Sequence, residues 1–217
     1  MNEKVMDLLV TGASELGIRL GATELGKLDR FAEELKKWNK RINITAIRDD
    51  EGIAVKHFLD SLTVLKVIGA SGRLLDIGSG GGFPAIPLKI ACSALEVISV
   101  DSVEKKIIFQ RHAARILGLH GFQALHARAE DLVSRYAGHF DWIVSRAFAD
   151  IISFVGIALP LAGENGKLIA MKGKGGRKET ISSGTILREM GGEIKDIVEF
   201  KLPDSGDERS LVIIGRI

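Results

Sequence analysis

The stretch Leu74–Ile90, LLDIGSGGGFPAIPLKI, packs four glycines into the five positions Gly78–Gly82 between two apolar segments. Glycine loses the most freedom on folding and weakens helices and strands alike. A run of glycines is kept where the backbone takes positive φ or passes close beneath something else. Here the run lies where an apolar strand gives way to an apolar helix. In open α/β sheets that point, at the carboxyl end of a strand, is where ligands bind. A tight turn alone needs fewer glycines.

Three ligand classes use glycine-rich turns between a strand and a helix. A phosphate-cradling P-loop needs Gly-x-x-x-x-Gly-Lys-Ser/Thr, and no lysine follows these glycines before Lys89. The dinucleotide fingerprint Gly-x-Gly-x-x-Gly/Ala is met by Gly80, Gly82 and Ala85, but shifted, with Gly82 at the edge of a helix starting near Phe83. The pattern of S-adenosylmethionine loops, an acidic residue followed by Gly-x-Gly-x-Gly, is met in frame by Asp76, Gly78, Gly80 and Gly82. Asp101 ends the next strand, where a carboxylate accepts the hydroxyls of an adenosyl ribose. That placement suits NAD and S-adenosylmethionine equally, and capping of the following helix is a competing role.

Outward from the loop, the chain changes character near residue 72. Before it, Leu25, Leu28, Ala32, Leu35, Trp38 and Ile42 recur at helical spacing, and a second helix is expected from Ile53 to Ile68. After it, the apolar runs RLLDI, LEVISVD, FQALHA, FDWIVSR and GKLIAMK alternate with helical segments, among them a short piece at Asp131 to Tyr136 and a helix at Lys178 to Met190. Such alternation predicts a parallel sheet covered on both faces. The end, GEIKDIVEFKL and RSLVIIGRI around the turn PDSGDE, predicts an antiparallel hairpin. The expected fold is α/β: a Rossmann-like class I methyltransferase sheet, mostly parallel with an antiparallel C-terminal hairpin strand, plus N-terminal helices. Residues 1–71 read as a helical extension packed on the core, and residues 72–217 as the S-adenosylmethionine-dependent methyltransferase domain.

Composition bounds the partners. With 46% hydrophobic and 27% charged residues the chain is that of a globular protein, and a net charge of +2 excludes a polycation that binds nucleic acid by bulk charge. Nucleic-acid contact must come from local patches. One is Lys167, Lys172, Lys174, Arg177 and Lys178, with no acid from Gly166 to Lys178. The single cysteine, Cys92, forms no internal disulfide and suits a reducing cytosol. No apolar run is long enough for a membrane span, the N-terminus does not resemble a signal peptide, and the scattered histidines do not suggest a metal site.

The motifs WNKRINITAIRD, HFLDSL, LLDIGSGGGFPAIPLKI, DSVEKKIIF, ARAEDL, SRAFA and MKGK occur in the order found in the bacterial RsmG (GidB) enzymes, and from about Leu35 to the C-terminus the chain resembles that family. The resemblance implies a cytoplasmic enzyme that uses S-adenosyl-L-methionine to methylate N7 of one guanine in the 530 loop of 16S rRNA. The implied partner is the small ribosomal subunit, with no DNA and no membrane. It also implies cofactor contacts from Gly78, Phe83, Ala129, Glu130 and Arg146. The family commonly reads GFPG where this chain has Ala85, a better helix former and so no loss.

Arg146 ends the fourth strand, and a buried arginine calls for a partner. Glu130, the cofactor carboxylate and an RNA phosphate are the candidates, with an ordinary strand-end ion pair as the bland alternative. Arg146 is the best candidate for positioning, and no catalytic residue is assigned. Lys105, Lys106, Arg128, Lys172 and Lys174 are the candidates for RNA contact. His57 reads as structural or interdomain. Guanine N7 carries a lone pair and no proton, so the absence of a nucleophile–base set fits the chemistry. The rival readings are a small-molecule methyltransferase, an NAD-dependent oxidoreductase and a non-catalytic RNA-binding protein.

Overall fold

The computed structural model describes residues 1–146, 148 and 150–217; two alanines of the SRAFA motif, Ala147 and Ala149, lie outside them. The described residues form one seven-stranded sheet in the order β3-β2-β1-β4-β5-β7-β6. The strands are β1 (Gly72–Ile77), β2 (Leu95–Asp101), β3 (Phe122–His126), β4 (Phe140–Arg146), β5 (Ala162–Lys172), β6 (Gly192–Lys201) and β7 (Glu208–Arg216). Strands β1 to β5 are parallel, and β7 runs antiparallel between β5 and β6. The expected parallel sheet with an antiparallel C-terminal hairpin is therefore the observed one. Strand order reverses at the β1–β4 boundary, the switch point at whose carboxyl edge such sheets bind ligands.

Alternate strand residues face opposite layers. Leu74, Val97, Val144 and Ile169 pack against Val64, Ala85 and Leu88 on one face. Leu75, Val100, Ile143 and Leu168 pack against Phe154, Val155 and Leu187 on the other. A further layer lies outside the first face. The helices Glu3–Glu15 and Ala22–Ile42 share a core with Phe58, Phe83, Ile86 and Phe109. Phe31 is its hub, with ring centroids 5.8 Å from Phe58, 5.3 Å from Phe83 and 6.0 Å from Phe109. The glycine loop, which carries Phe83, is thereby pinned by the N-terminal helices.

Several elements differ from the sequence expectation. The helix Glu3–Glu15, capped by the Asn2 side chain on the Val5 amide, is additional. The expected helix Ile53–Ile68 starts at Asp50, because the Asp49 carboxylate accepts from the Gly52 amide at 2.7 Å. It then opens into a π-helical turn, Ala54–Leu59, a rare form that often marks functional sites. The expected helix Lys178–Met190 is two short helices, Gly176–Ser182 and Gly184–Glu189. The hydroxyls of Ser182 and Ser183 both donate to the Glu179 carbonyl at the break, which falls at Ser183. Among the described residues no helix is long and apolar enough to cross a membrane.

Candidate active site

The site begins where β1 ends. Gly78 and Gly80 take φ of +72° and +58°, and a Cβ on either would meet nothing within 4 Å. The backbone is thus in the left-handed region with open space above it, the geometry of a cradle rather than of a packed turn. The amides of Gly78 and Ser79 both donate to the Val100 carbonyl, at 2.9 and 3.1 Å, folding the loop toward β2. The buried Gln110 fixes it from below, donating to the Ser79 hydroxyl and the Gly80 carbonyl at 2.8 Å each. Lys89 sits at the far end of the next helix, Ala85–Ala91, and donates to the Ser93 and Leu95 carbonyls. It cannot serve as a phosphate-binding lysine of the loop.

A cleft of about 290 Å³ opens on this cradle, lined by Gly78, Asp101, Arg128, Ala129, Glu130 and Phe148 among others. Asp101 accepts from the Gly80 amide through Oδ2 and from the Val103 amide through Oδ1, both at 2.8 Å. It therefore ties the loop to the next helix, and each oxygen keeps a second lone pair for a ligand hydroxyl. Glu130 is exposed at the start of the 3-10 turn Ala129–Leu132, whose first residue, Ala129, is buried. Phe148 supplies the aromatic wall, 5.7 Å from Phe154 between ring centroids. Sequence reasoning passed over Phe148, although it lies inside SRAFA.

Asp76 is placed differently from the other loop residues. It is fully buried, and its Oδ2 accepts the Ala85 amide at 3.0 Å, while Oδ1 has no partner among the described residues. Burial raises its pKa to about 7, against the lowering effects of the Ala85 amide and Arg146. Its contact is with the start of the helix, not with the cleft.

Arg146 leaves the end of β4 and turns toward the N-terminal helices. One guanidinium nitrogen lies 3.0 Å from the Lys56 carbonyl, 3.3 Å from His57 Nδ1 and 3.5 Å from Asp60 Oδ2. The same guanidinium covers the Phe83 ring at 5.3 Å. Its carboxylate partner is Asp60, an ordinary ion pair at the strand end, and Glu130, one of the candidate partners, is not in contact with it. Asp60 is buried and also accepts from Arg209 Nε at 2.8 Å. His57 stacks on Phe83 at 4.2 Å, and its Nε2 lies 2.8 Å from the Thr45 hydroxyl. Because arginine only donates, Nδ1 accepts and the His57 proton sits on Nε2, facing Thr45. Burial, with Arg146 alongside, lowers the His57 pKa to about 3, so the ring is neutral. His57 thus joins the N-terminal segment to the sheet edge, as a structural role requires. The spacing of His57 and Asp60 in HFLDSL puts both on one helix face. That signal was available, whereas Arg209 carries none.

The basic candidates separate. Lys105 is exposed and Lys106 half-buried, both in the first turn of the helix Glu104–Ile116 beside Asp101. Arg128 is exposed on the cleft. Lys172 is largely buried and paired with Glu179 at 2.9 Å, which leaves the exposed Lys174 as the open cation of that pair.

A family model described as rRNA small subunit methyltransferase G matches residues 24–206. The chain belongs to the rRNA small subunit methyltransferase G family. Relatives of that name are 57% identical over all of this chain and 99% of the protein in Geotalea uraniireducens, and 56% identical over all of this chain and 98% of the protein in Geobacter metallireducens. As a member of this family, the chain is an S-adenosylmethionine-dependent methyltransferase of small-subunit rRNA. Among solved structures, a SAM-dependent methyltransferase from Aquifex aeolicus shares the fold, with a TM-score of 0.59 and 18% identity over 84% of this chain and 97% of that one.

Proposed function

We propose that this chain methylates N7 of a guanine in the 530 loop of 16S rRNA, holding the cofactor in the cleft at the β1–β4 switch point. The observation that supports the cofactor part of the reading is the glycine cradle, while the rRNA part rests on membership of the family. Gly78 and Gly80 hold left-handed backbone under open space, with Asp101 and Glu130 facing the same cleft. An adenosyl cofactor fits this donor set. Asp101 has lone pairs for the ribose hydroxyls, Ala129 and Glu130 stand at the adenine side, and Phe148 offers a ring face. Gly82 and Phe83 set the loop's outer end, and Asp76 acts through the helix start rather than on the cofactor.

When bound, S-adenosylmethionine would supply an electrophilic methyl group for in-line transfer to N7, its carbon–sulfur bond breaking and the neutral thioether leaving. Guanine N7 has no proton to lose, so the protein's work is alignment and needs no general base. Arg146, fixed by Asp60, His57 and the Lys56 carbonyl, is the positioning residue on the guanine side. Lys105, Lys106, Arg128 and Lys174 ring the edge as phosphate partners, with Lys172 bracing Glu179 behind them. The substrate sets the place of work as the cytoplasm. The test offers radiolabelled S-adenosylmethionine to small subunits lacking the modification and maps the label. N7-methylguanine in 16S rRNA is the expected result. No label, from protein that demonstrably binds the cofactor, contradicts it.

A further inference from the structure

We infer that the groove between the carboxyl-terminal half of the helix Ala22–Ile42 and the loop leading to Arg48 is a second surface for the substrate RNA, holding backbone phosphates beside the glycine loop. The inference rests on the rRNA-methyltransferase reading and extends it to the motif WNKRINITAIRD, which the cofactor cleft does not use. The groove has a volume of about 720 Å³, larger than the cofactor cleft, and Lys36, Lys37, Lys40, Asn43 and Arg48 line it, with Glu33 as the opposing acid. Lys36 is bound by Asp50, and Lys37 by Glu34. Lys40 and Arg48 are exposed, and among the described residues neither has an ion-pair partner.

A charge run on a helix is usually a solvated face. Three observations set this one apart. The wall is concave and rigid: the buried Asn39 accepts from the amides of Ile44 and Thr45 at 2.6 and 3.0 Å and donates to the Thr45 carbonyl at 2.8 Å. The wall also rests on the glycine loop. A Cβ at Gly81 would lie 2.6 Å from Ile44 Cγ2, so the loop's close approach to the N-terminal segment needs glycine there. Finally, the wall connects to the guanine side, because Thr45 meets His57 and His57 meets Arg146. A strand of RNA seated in the groove is thus next to the reaction edge. Among the described residues no aromatic side chain lines the groove, so bases do not stack there. Lysine, arginine and asparagine recognise phosphates and 2′-hydroxyls.

The test compares two full-length double variants with wild type, reading affinity for unmodified small subunits across a salt series, cofactor binding and methyl transfer. One variant is Lys40→Glu with Arg48→Glu. The other, Arg19→Glu with Arg30→Glu, makes the same charge change at exposed residues that do not line the groove. Circular dichroism and cofactor affinity report that both fold. The groove variant is expected to lose about tenfold or more in subunit affinity, and the slope of log K against log salt is expected to fall by about 1.5, two phosphate contacts' worth. The other variant is expected to track wild type. Unchanged affinity and slope in the groove variant overturn the inference, as do equal losses in both variants or a wild type that does not bind subunits. A wild type that binds subunits but transfers no methyl contradicts the methyltransferase reading, while the binding series still decides the groove.

Discussion

The two halves of the carboxyl edge are built by different means. Around β1, β2 and β3 the contacts are local and largely backbone. The Gly80 amide reaches Asp101, 21 positions on, and the Val103 amide reaches the same carboxylate from two positions away. Around β4, β5 and β7 the contacts are between side chains far apart in the chain. Arg146 meets Asp60 across 86 positions, and Arg209 meets it across 149. The first half can be carried by any short strand–loop–helix segment, which is why a glycine loop alone names a cofactor and not a target. The second half exists only when the N-terminal helices and the C-terminal hairpin are both in place. In this account substrate choice belongs to that half.

The sharpest way to break this division is Gly78→Val. A β-branched side chain at φ +72° strains the loop and fills the cradle, so cofactor affinity should fall by about a hundredfold or more in calorimetry. Subunit affinity should stay within about twofold, and a matching loss there would mean the halves are not separable. Comparable in size is Asp60→Asn, which leaves two arginines facing each other without their shared anion. Urea unfolding should show a loss of about 3 kcal/mol. Wild-type stability would remove Asp60 as the organiser of the right half.

The halves should also titrate in opposite senses. Asp76 keeps its proton up to about pH 7 when folded but loses it near 3.8 when unfolded, so its contribution falls as pH rises through that window. Relative to wild type, Asp76→Asn should therefore gain stability between pH 4 and pH 7, on the order of 4 kcal/mol. His57 refuses a proton down to about pH 3 that the unfolded chain takes at 6.5, so its contribution is lost as pH falls through that range. His57→Gln should flatten the acid limb of the stability profile, and an unchanged limb would show that another group sets it. The smallest effect expected is that of Lys174→Ala. It should lower the salt slope of subunit binding by about 0.7 to 0.9 without touching cofactor affinity.

What was legible followed the same boundary. The alternation of continuous apolar runs with helical segments yields the parallel sheet, and RSLVIIGRI after a turn yields the antiparallel hairpin, though not the insertion of β7 beside β5. Asp76, Gly78 and Asp101 could be placed because strand ends are local features. Asp76 nevertheless proved to face the helix start, since one residue's direction depends on the strand's pleat. The Asp60–Arg209 pair left no trace in the sequence, because nothing local specifies a contact between an N-terminal helix and the final strand. The π-helical turn at Ala54–Leu59 and the break before Gly184 were likewise hidden. Each arises from hydrogen-bond choices that apolar periodicity does not record.

The division is tested most directly by steady-state methyl transfer from radiolabelled S-adenosylmethionine to unmodified small subunits, with each substrate varied in turn. Glu130→Ala should raise KM for the cofactor about tenfold, the value of one lost hydrogen bond to a bound ligand, and leave KM for subunits unchanged. Lys174→Ala should raise KM for subunits by a smaller factor and leave KM for the cofactor unchanged, with label still mapping to N7 of a 16S guanine. Both constants rising together in each variant would contradict the account.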